Sequence, residues 1–388
     1  MKKYIIFGAG RYGEEALLYY GIRNVAFFCD NKKCGKMIKG VEVINFEKMS
    51  GIWEDYEIVL AVSNSVYRKE MQTQLEEIKI SYQIFDNIES KLKEDNFTGE
   101  YEFIDRSEKK EKLLMILAGY KEYLWESVFS RIQTYISEDM DVCVMTAGYE
   151  NKVLKDMCEK EGWSYLYTYE NKLSLTQNLT IRVHPAAKWI YKMDEDIFIT
   201  PGLFEELLGT SLYVAREKKY AVGITAPLMA INSYGYRRIL EYEDKVSDYE
   251  ERFGTALLGR GDVFIDADIA RYLWEMTLPL NTFAEKMKEI GKKYSICHHR
   301  FSIGCFLMKR DIWEEMGGFR IAPEGVLGVD EEYLCKWCMD TARTIIIAER
   351  AYAGHFSYGP QTAEMKKFYE SRRTEFDGVI KTVEQSME

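Results

Sequence analysis

At roughly 150 residues per domain, a chain of 388 residues is long enough for two or three domains. Apolar residues make up 47% and charged residues 30%, enough for a sizeable core beneath an ordinary polar surface. The 63 acidic side chains exceed the 52 basic ones for a formal net charge of −11, which sets nucleic acid aside as a partner. No apolar run approaches the roughly 20 residues of a transmembrane helix. The opening Met1-Lys2-Lys3 passes through one short apolar run into glycines, too short for a signal peptide, so a cytoplasmic location is expected. In that setting the eight cysteines read as reduced thiols rather than a disulfide framework. Six prolines leave little room for disordered linkers.

The first ninety residues alternate. Tyr4-Ile5-Ile6-Phe7 is a strand, 13–20 a helix, 25–29 and 58–62 further strands, and 71–78 a helix. Alternating strands and helices predict a parallel, doubly wound sheet, so the fold class is α/β. Residues 91–111 lose periodicity and are rich in charge, which predicts a linker between a domain at 1–90 and another at 112–388. Alternation then resumes with strands at 113–118, 141–145 and 164–169 and helices at 125–136 and 151–160. Ile190-Tyr191-Lys192-Met193 is an apolar strand running into three carboxylates, and 242–293 reads as helical or irregular. The two units share architecture but no motif residues.

Gly8-Ala9-Gly10-Arg11-Tyr12-Gly13 is a G-x-G-x-x-G between a strand and a helix. Gly8, Gly10 and Gly13 would permit a tight turn under a pyrophosphate, and Asp30 ends the next strand where a ribose hydroxyl would sit. The glycines could equally serve only to pack helix on strand. With Cys29-Asp30-Asn31 and Gly40-Val41-Glu42-Val43, the segment resembles the small N-terminal domain of bacterial sugar acyltransferases. That resemblance implies a Rossmann-like domain that binds a nucleotide or nucleotide sugar. The acyltransferase domain that follows in that family is absent, so acyl transfer is not implied.

Asp194-Glu195-Asp196 follows the apolar strand, and in an extended segment Asp194 and Asp196 would share a face while Glu195 points away. Two hard oxygen ligands on one side suit Mn²⁺ or Mg²⁺ held together with substrate phosphates. The alternative is a polar loop that caps a strand. Taken in order with five other segments, this one resembles the GT-A-fold glycosyltransferases of the large inverting family that uses nucleotide-diphosphate sugars. The others are Leu117-Ala118-Gly119-Tyr120 and Thr146-Ala147-Gly148-Tyr149 at the first two strand ends, Thr176-Gln177-Asn178, Met316-Gly317-Gly318-Phe319, and the run from Gly328 to Cys335.

The resemblance covers residues 112–360 and implies roles for individual residues. Donor contacts fall on Ala118, Gly119, Tyr120, Thr146, Gly148, Gln177, Asn178 and Asp194. Gln177 replaces the family's arginine, so a phosphate or substrate contact is either lost or moved, to Lys172 or Arg182. Metal contacts fall on Asp194 and Asp196, with His355 of Ala353-Gly354-His355-Phe356-Ser357-Tyr358-Gly359 as a third ligand or as an ordinary hydrogen-bonded residue. The general base falls on Glu331, with Asp330 as its substitute; Asp330, Glu331 and Glu332 are also what the first turn of a helix favours. Gly318 and Phe319 stand beside the acceptor. The aromatic stretch around Tyr234 and Tyr236 reads as an acceptor loop or as a packed loop. His298-His299 reads as acceptor-side or structural, and Cys335-x-x-Cys338, without a second pair, as core thiols.

The expected activity is metal-dependent, inverting transfer from a nucleotide-diphosphate sugar (a UDP-sugar first) to a glycan, lipid-linked sugar or protein. The setting would be surface polysaccharide or glycoconjugate synthesis, cytoplasmic or peripheral at a membrane. Two rivals remain: an inactive nucleotide-sugar sensor, and an NAD(P)-dependent sugar-modifying enzyme that uses the N-terminal glycines.

Overall fold

The computed structural model describes residues 2–86, 95–259, 261–321, 328–357 and 359–377. The chain is mixed α/β and divides into two compact units, residues 1–95 and 96–388.

The first unit holds β1 Lys3–Phe7, β2 Val25–Cys29, β3 Met37–Ile38, β4 Val41–Ile44, β5 Tyr56–Leu60 and β6 Tyr82–Ile84 in the order β3-β4-β2-β1-β5-β6. All pairings are parallel except that of the edge strand β3 with β4. Side chains of β1 alternate: Ile6 joins Ala16, Leu17 and Phe28 on one face, while Ile5 and Phe7 join Met49, Leu60 and Leu75 on the other. Both faces are covered, as a parallel sheet requires. The chain leaves β1 for β2 on one side and later places β5 on the other, so the glycine loop lies where the strand order reverses.

The second unit holds β7 Tyr101–Ile104, β8 Lys112–Leu117, β9 Met140–Ala147, β10 Ser164–Thr168, β11 Trp189–Asp194, β12 Ile197–Phe198, β13 Val222–Leu228, β14 Ser295–Cys297, β15 Cys305–Lys309, β16 Thr344–Tyr352 and β17 Gly354–His355. Nine of these strands make one sheet in the order β14-β16-β13-β15-β11-β8-β9-β10-β7. Its centre, β11-β8-β9-β10, is parallel, and its strands are near-continuous apolar runs because helices cover both faces.

The stretch expected to be a linker is built into this unit. Residues 91–94 of it lie outside the described residues, but Tyr101–Ile104 pairs antiparallel with β10 at the sheet edge. The next residues are pinned too. Buried Asp141 accepts the N–H groups of Glu108 and Lys110, at 2.9 Å each, and Arg106 N–H donates to Ser164 Oγ at 3.0 Å. The charge run misled because an edge strand is half exposed and needs no apolar periodicity.

One small sheet positions the chemistry. β12, just past Asp196, pairs with β17, so Ile197 lies opposite His355, and Phe356 N–H donates to the Asp196 carbonyl at 3.0 Å.

Candidate functional site

Strands β8, β9 and β10 run outward in one direction, and β11 returns on the other side of β8. The C-terminal ends of β8 and β11 therefore flank a switch-point crevice, where open parallel sheets bind ligands. At the end of β8 a turn, Ala118-Gly119-Tyr120-Lys121, enters the helix Glu122–Tyr135. At the end of β11 stands the acidic triplet. Its strand ends at Asp194 and residues 195 and 196 form a turn, so the alternation expected of an extended segment does not hold.

Glu195 shows the consequence. Instead of pointing away, its carboxylate accepts the backbone N–H groups of Gly119 (2.8 Å), Tyr120 (2.7 Å) and Lys121 (2.9 Å), and the Trp125 indole N–H (2.5 Å). Lys121 offers no side-chain cap to this helix, so an acid from 74 residues away supplies the negative charge its N-terminus favours. Burial pushes the Glu195 carboxyl above its ordinary range, against the pull of those N–H donors. Gly119 and Tyr120 are expected to contact a donor, and their backbone amides are already taken by Glu195. Only the Tyr120 ring, 54% exposed and bonded through its hydroxyl to Asn171 Oδ1 at 3.0 Å, remains at the rim.

Each flanking aspartate carries a lysine. Lys121 Nζ lies 2.5 Å from Asp196 Oδ2, with both side chains buried. Lys192 Nζ lies 2.6 Å from Asp194 Oδ1 and donates to the Ile303 carbonyl at 2.9 Å. Burial opposes the Asp196 charge, but Lys121, His355 and Lys192 outweigh it and hold the carboxyl below its ordinary range. Asp194 moves the other way, raised by burial and by the neighbouring Asp196 despite Lys192.

His355 Nδ1 lies 2.7 Å from the Ile231 carbonyl, a bond in which Nδ1 is the donor. Nε2 faces Asp196 Oδ2 across 3.9 Å, too far for a hydrogen bond and about the span of two ordinary metal–ligand bonds. Among the described residues no three of His, Cys, Asp and Glu group closely enough to enclose a metal. Asp196 and His355, with Asp194 beside them, are the residues that could hold a hard cation, whose other positions would be left to substrate oxygens.

The helix Val329–Asp340 brings Asp330 and Glu331 to its first turn. Arg300 Nε donates to Glu331 Oε1 at 2.6 Å, and Ile303 N–H to Oε2 at 3.3 Å. The Ile303 peptide thus links Glu331 to Lys192 and Asp194 at the crevice. Burial pushes the Glu331 carboxyl up, against the pull of Arg300. Asp330 Oδ2 accepts Gln177 Nε2 at 3.0 Å, and its Oδ1 accepts the Glu331 N–H at 3.0 Å.

Several expected contact residues are structural instead. Ala118 is fully buried, with its N–H on the Met145 carbonyl. The buried Thr146 hydroxyl bonds the Tyr149 carbonyl and Tyr165. Gly148, at φ +88°, lies where a Cβ would meet Asn171 Cβ at 2.8 Å. Gln177 is fully buried against Asp330, not placed for a phosphate. Asn178 spends all four hydrogen bonds on the Asn96 and Phe319 carbonyls, the Trp313 indole and the Phe319 N–H. That clamp fixes the turn at Gly318 and buries Phe319 completely. Tyr234 and Tyr236 are buried too, the latter with its hydroxyl on the Leu257 carbonyl; the stretch is packed. Lys172 pairs with Glu170 at 2.5 Å, half exposed at the rim. Tyr358 lies outside the described residues.

In the first unit Gly8 is at φ +117°, where a Cβ would lie 2.5 Å from the Ala61 carbonyl oxygen. A Cβ on Gly13 would lie 1.9 Å from the Gly8 oxygen, whereas Gly10 has open space. Asp30 Oδ1 accepts the N–H groups of Lys32 and Lys33 in a local turn.

The residues that sequence reasoning passed over are Lys121, Lys192, Trp125 and Arg300. Lys192 alone carried a signal, a lone lysine inside a buried strand.

No protein-family model matches the chain, and comparison with curated proteins finds no match. Among solved structures the chain is similar to GalNAc-T7 with UDP, GalNAc and Mn²⁺, at 12% identity and TM-score 0.36, over 69% of this chain and 52% of that one. It is also similar to the mannosyltransferase PcManGT from Pyrobaculum calidifontis in complex with GDP-Man and Mn²⁺, at 12% identity and TM-score 0.38, over 68% of this chain and 62% of that one. The chain thus spans about half to three fifths of the length of these two proteins.

Proposed function

We propose that this chain is a metal-dependent glycosyltransferase of GT-A type. It would move a sugar from a nucleotide-diphosphate donor to an acceptor hydroxyl on a glycan, lipid-linked sugar or protein. The observation that carries the reading is the facing pair Asp196 and His355, set 3.9 Å apart beside Asp194 in a switch-point crevice. Asp196 and His355, with Asp194, would hold Mn²⁺ or Mg²⁺. The cation would neutralise the departing diphosphate. The reading takes up the pairing of Mn²⁺ with a nucleotide named for both solved structures above.

Glu331 is the proposed general base. It would take the proton from the acceptor hydroxyl while that oxygen bonds to the anomeric carbon and the bond from that carbon to the diphosphate breaks, inverting the centre. Its raised pKa suits proton acceptance, and Arg300 fixes the direction of the carboxylate. The exposed rings of Tyr120, Tyr149 and Tyr169 on the loops after β8, β9 and β10 would stack on the donor base. In the first unit we propose a separate nucleotide or nucleotide-sugar site at Gly8, Gly10, Gly13 and Asp30.

A second reading, an inactive nucleotide-sugar sensor, is favoured by the ion pairs that already engage Asp196 and Glu331. One assay tests both. Nucleotide-sugar donors are screened for thermal stabilisation with and without Mn²⁺, and the stabilising donors for hydrolysis and transfer. Stabilisation with turnover supports the transferase, stabilisation without turnover supports the sensor, and no stabilisation by any donor sinks both. No helix among the described residues is long and apolar enough to cross a membrane.

A further inference from the structure

We infer that a cleft at the end of the large sheet opposite the crevice binds an anionic saccharide. The inference is independent of the metal reading above and assigns a second site.

The cleft exists because two neighbouring strands part. β13 and β15 pair only at Thr225 and Leu307, and the ladder does not continue to Gly223 and Lys309. At the same level the register of β13 on β16 shifts between Val222 and Ile224, the kind of irregularity that ends strand pairing. The space so opened measures about 350 Å³, in the lower range of small-molecule sites. The helices Leu203–Glu217 and Arg310–Met316 wall it, and the half-buried Trp189 lines it. Trp189 begins β11 and Asp194 ends it, so roughly 16 Å of strand separates the cleft from the crevice.

The groups in the cleft point to the ligand. Ser211 is only 7% exposed, and its hydroxyl has no hydrogen-bond partner among the described residues. The exposed Arg216 has no ion-pair partner among the described residues either. Lys309 Nζ lies 5.4 Å from the centre of the Trp189 ring, so positive charge and aromatic surface come together. The third cation of the cleft, Arg343, is already paired with Glu315. That leaves Arg216 and Lys309 against one carboxylate, Asp311, on a chain whose 63 acids outnumber its 52 bases. A positive cleft on so acidic a chain favours an anion.

The neighbours of those cations narrow the class. An indole packs against the C–H face of a sugar ring, and a serine hydroxyl and an aspartate bond sugar hydroxyls. A guanidinium takes a carboxylate or a phosphate through two parallel hydrogen bonds. A bare inorganic anion would use neither Trp189 nor Asp311. A sugar ring that bears a carboxylate or a phosphate uses every one of these groups.

The test is isothermal titration calorimetry on the full-length protein. Tetragalacturonate supplies carboxylates, glucose 6-phosphate supplies a phosphate, and maltotetraose is the neutral comparator. At least one acidic probe should bind, and which one it is tells the carboxylate from the phosphate. Maltotetraose should bind more weakly by about ten-fold or more, the scale of a lost charged hydrogen bond. Arg216→Ala and Lys309→Ala change exposed side chains and should fold as the wild type does by circular dichroism. Each should weaken the acidic probe by about ten-fold, whereas Asp196→Ala in the crevice should leave its affinity unchanged. No binding of either acidic probe at millimolar concentration overturns the inference. Equal affinity in the wild type and both folded variants also overturns it, as does a neutral probe bound as tightly as the acidic ones. Uridine monophosphate is the last control: affinity that falls in Arg216→Ala would give the cleft to a nucleotide and overturn the saccharide. None of these failures touches the metal reading.

Discussion

The two units meet the same architectural problem with opposite charges. In each, a strand at the reversal point of a parallel sheet ends in a glycine-containing turn that opens a helix, whose first N–H groups carry partial positive charge. In the first unit the helix Arg11–Tyr20 begins at Gly10 without a side-chain cap, and Arg11 is 88% exposed. In the second unit Glu195 fills the corresponding position with four hydrogen bonds. A helix end left to solvent favours an anion directly. A helix end already satisfied by an acid leaves its neighbours, Asp194 and Asp196, to recruit an anion through a cation. Shared topology thus predicts where a ligand goes but not the sign of the charge that receives it.

The sharpest break in this comparison is at Asp196. Asp196→Ala should lower transfer by about 10³-fold, the scale of one lost contact to a charge-neutralising cation, while circular dichroism stays unchanged. Asp194→Ala should be similarly damaging, and wild-type turnover in both variants would leave the acidic turn as a strand cap. Next comes Glu331→Gln, which should keep donor binding and lower turnover by about 10²-fold. Asp330→Asn should be milder, since its partners are the neutral amides of Gln177 and Glu331. The reverse order would move the base to Asp330, and a product with retained anomeric configuration would exclude both.

Glu195→Ala probes the contrast itself. It strands three backbone N–H groups and an indole, which should cost about 3 kcal/mol and several degrees of melting temperature. Inorganic phosphate should then recover part of the loss by occupying the vacated turn, which the wild type does not permit. No recovery would show that the turn needs the Glu195 tether rather than any anion. The smallest effect on chemistry is expected from the first unit. Gly13→Ala forces a Cβ to 1.9 Å from a carbonyl oxygen and should cost about 2 kcal/mol there. Mn²⁺ affinity should be unchanged in that variant and in a chain starting at Asn96, which keeps strand Tyr101–Ile104. A start near Arg106 would delete that strand and should unfold the edge of the sheet.

Much of this was legible in the residues, for reasons of local physics. Buried parallel strands are apolar runs, so β8, β9 and β11 were visible to within a residue or two at each end. The glycine loop was visible because a tight strand-to-helix turn leaves no room for a Cβ at Gly8 and Gly13. Edge strands were not visible: Tyr101–Ile104 is half exposed, and its pairing with β10 is what makes it a strand.

Sequence alone determined the α/β class and the acidic run after a buried strand, because each follows from a short run of residues and its neighbours; the candidacy of His355 and Glu331 came from a family resemblance. Tertiary structure decided what those residues touch. Lys121 meets Asp196 across 75 positions, Asn178 clamps Phe319 across 141, and Glu195 turns inward because the strand stops one residue before it. Contacts of that kind are set by which strand ends converge, and a hydrogen bond leaves no periodicity in the chain that makes it.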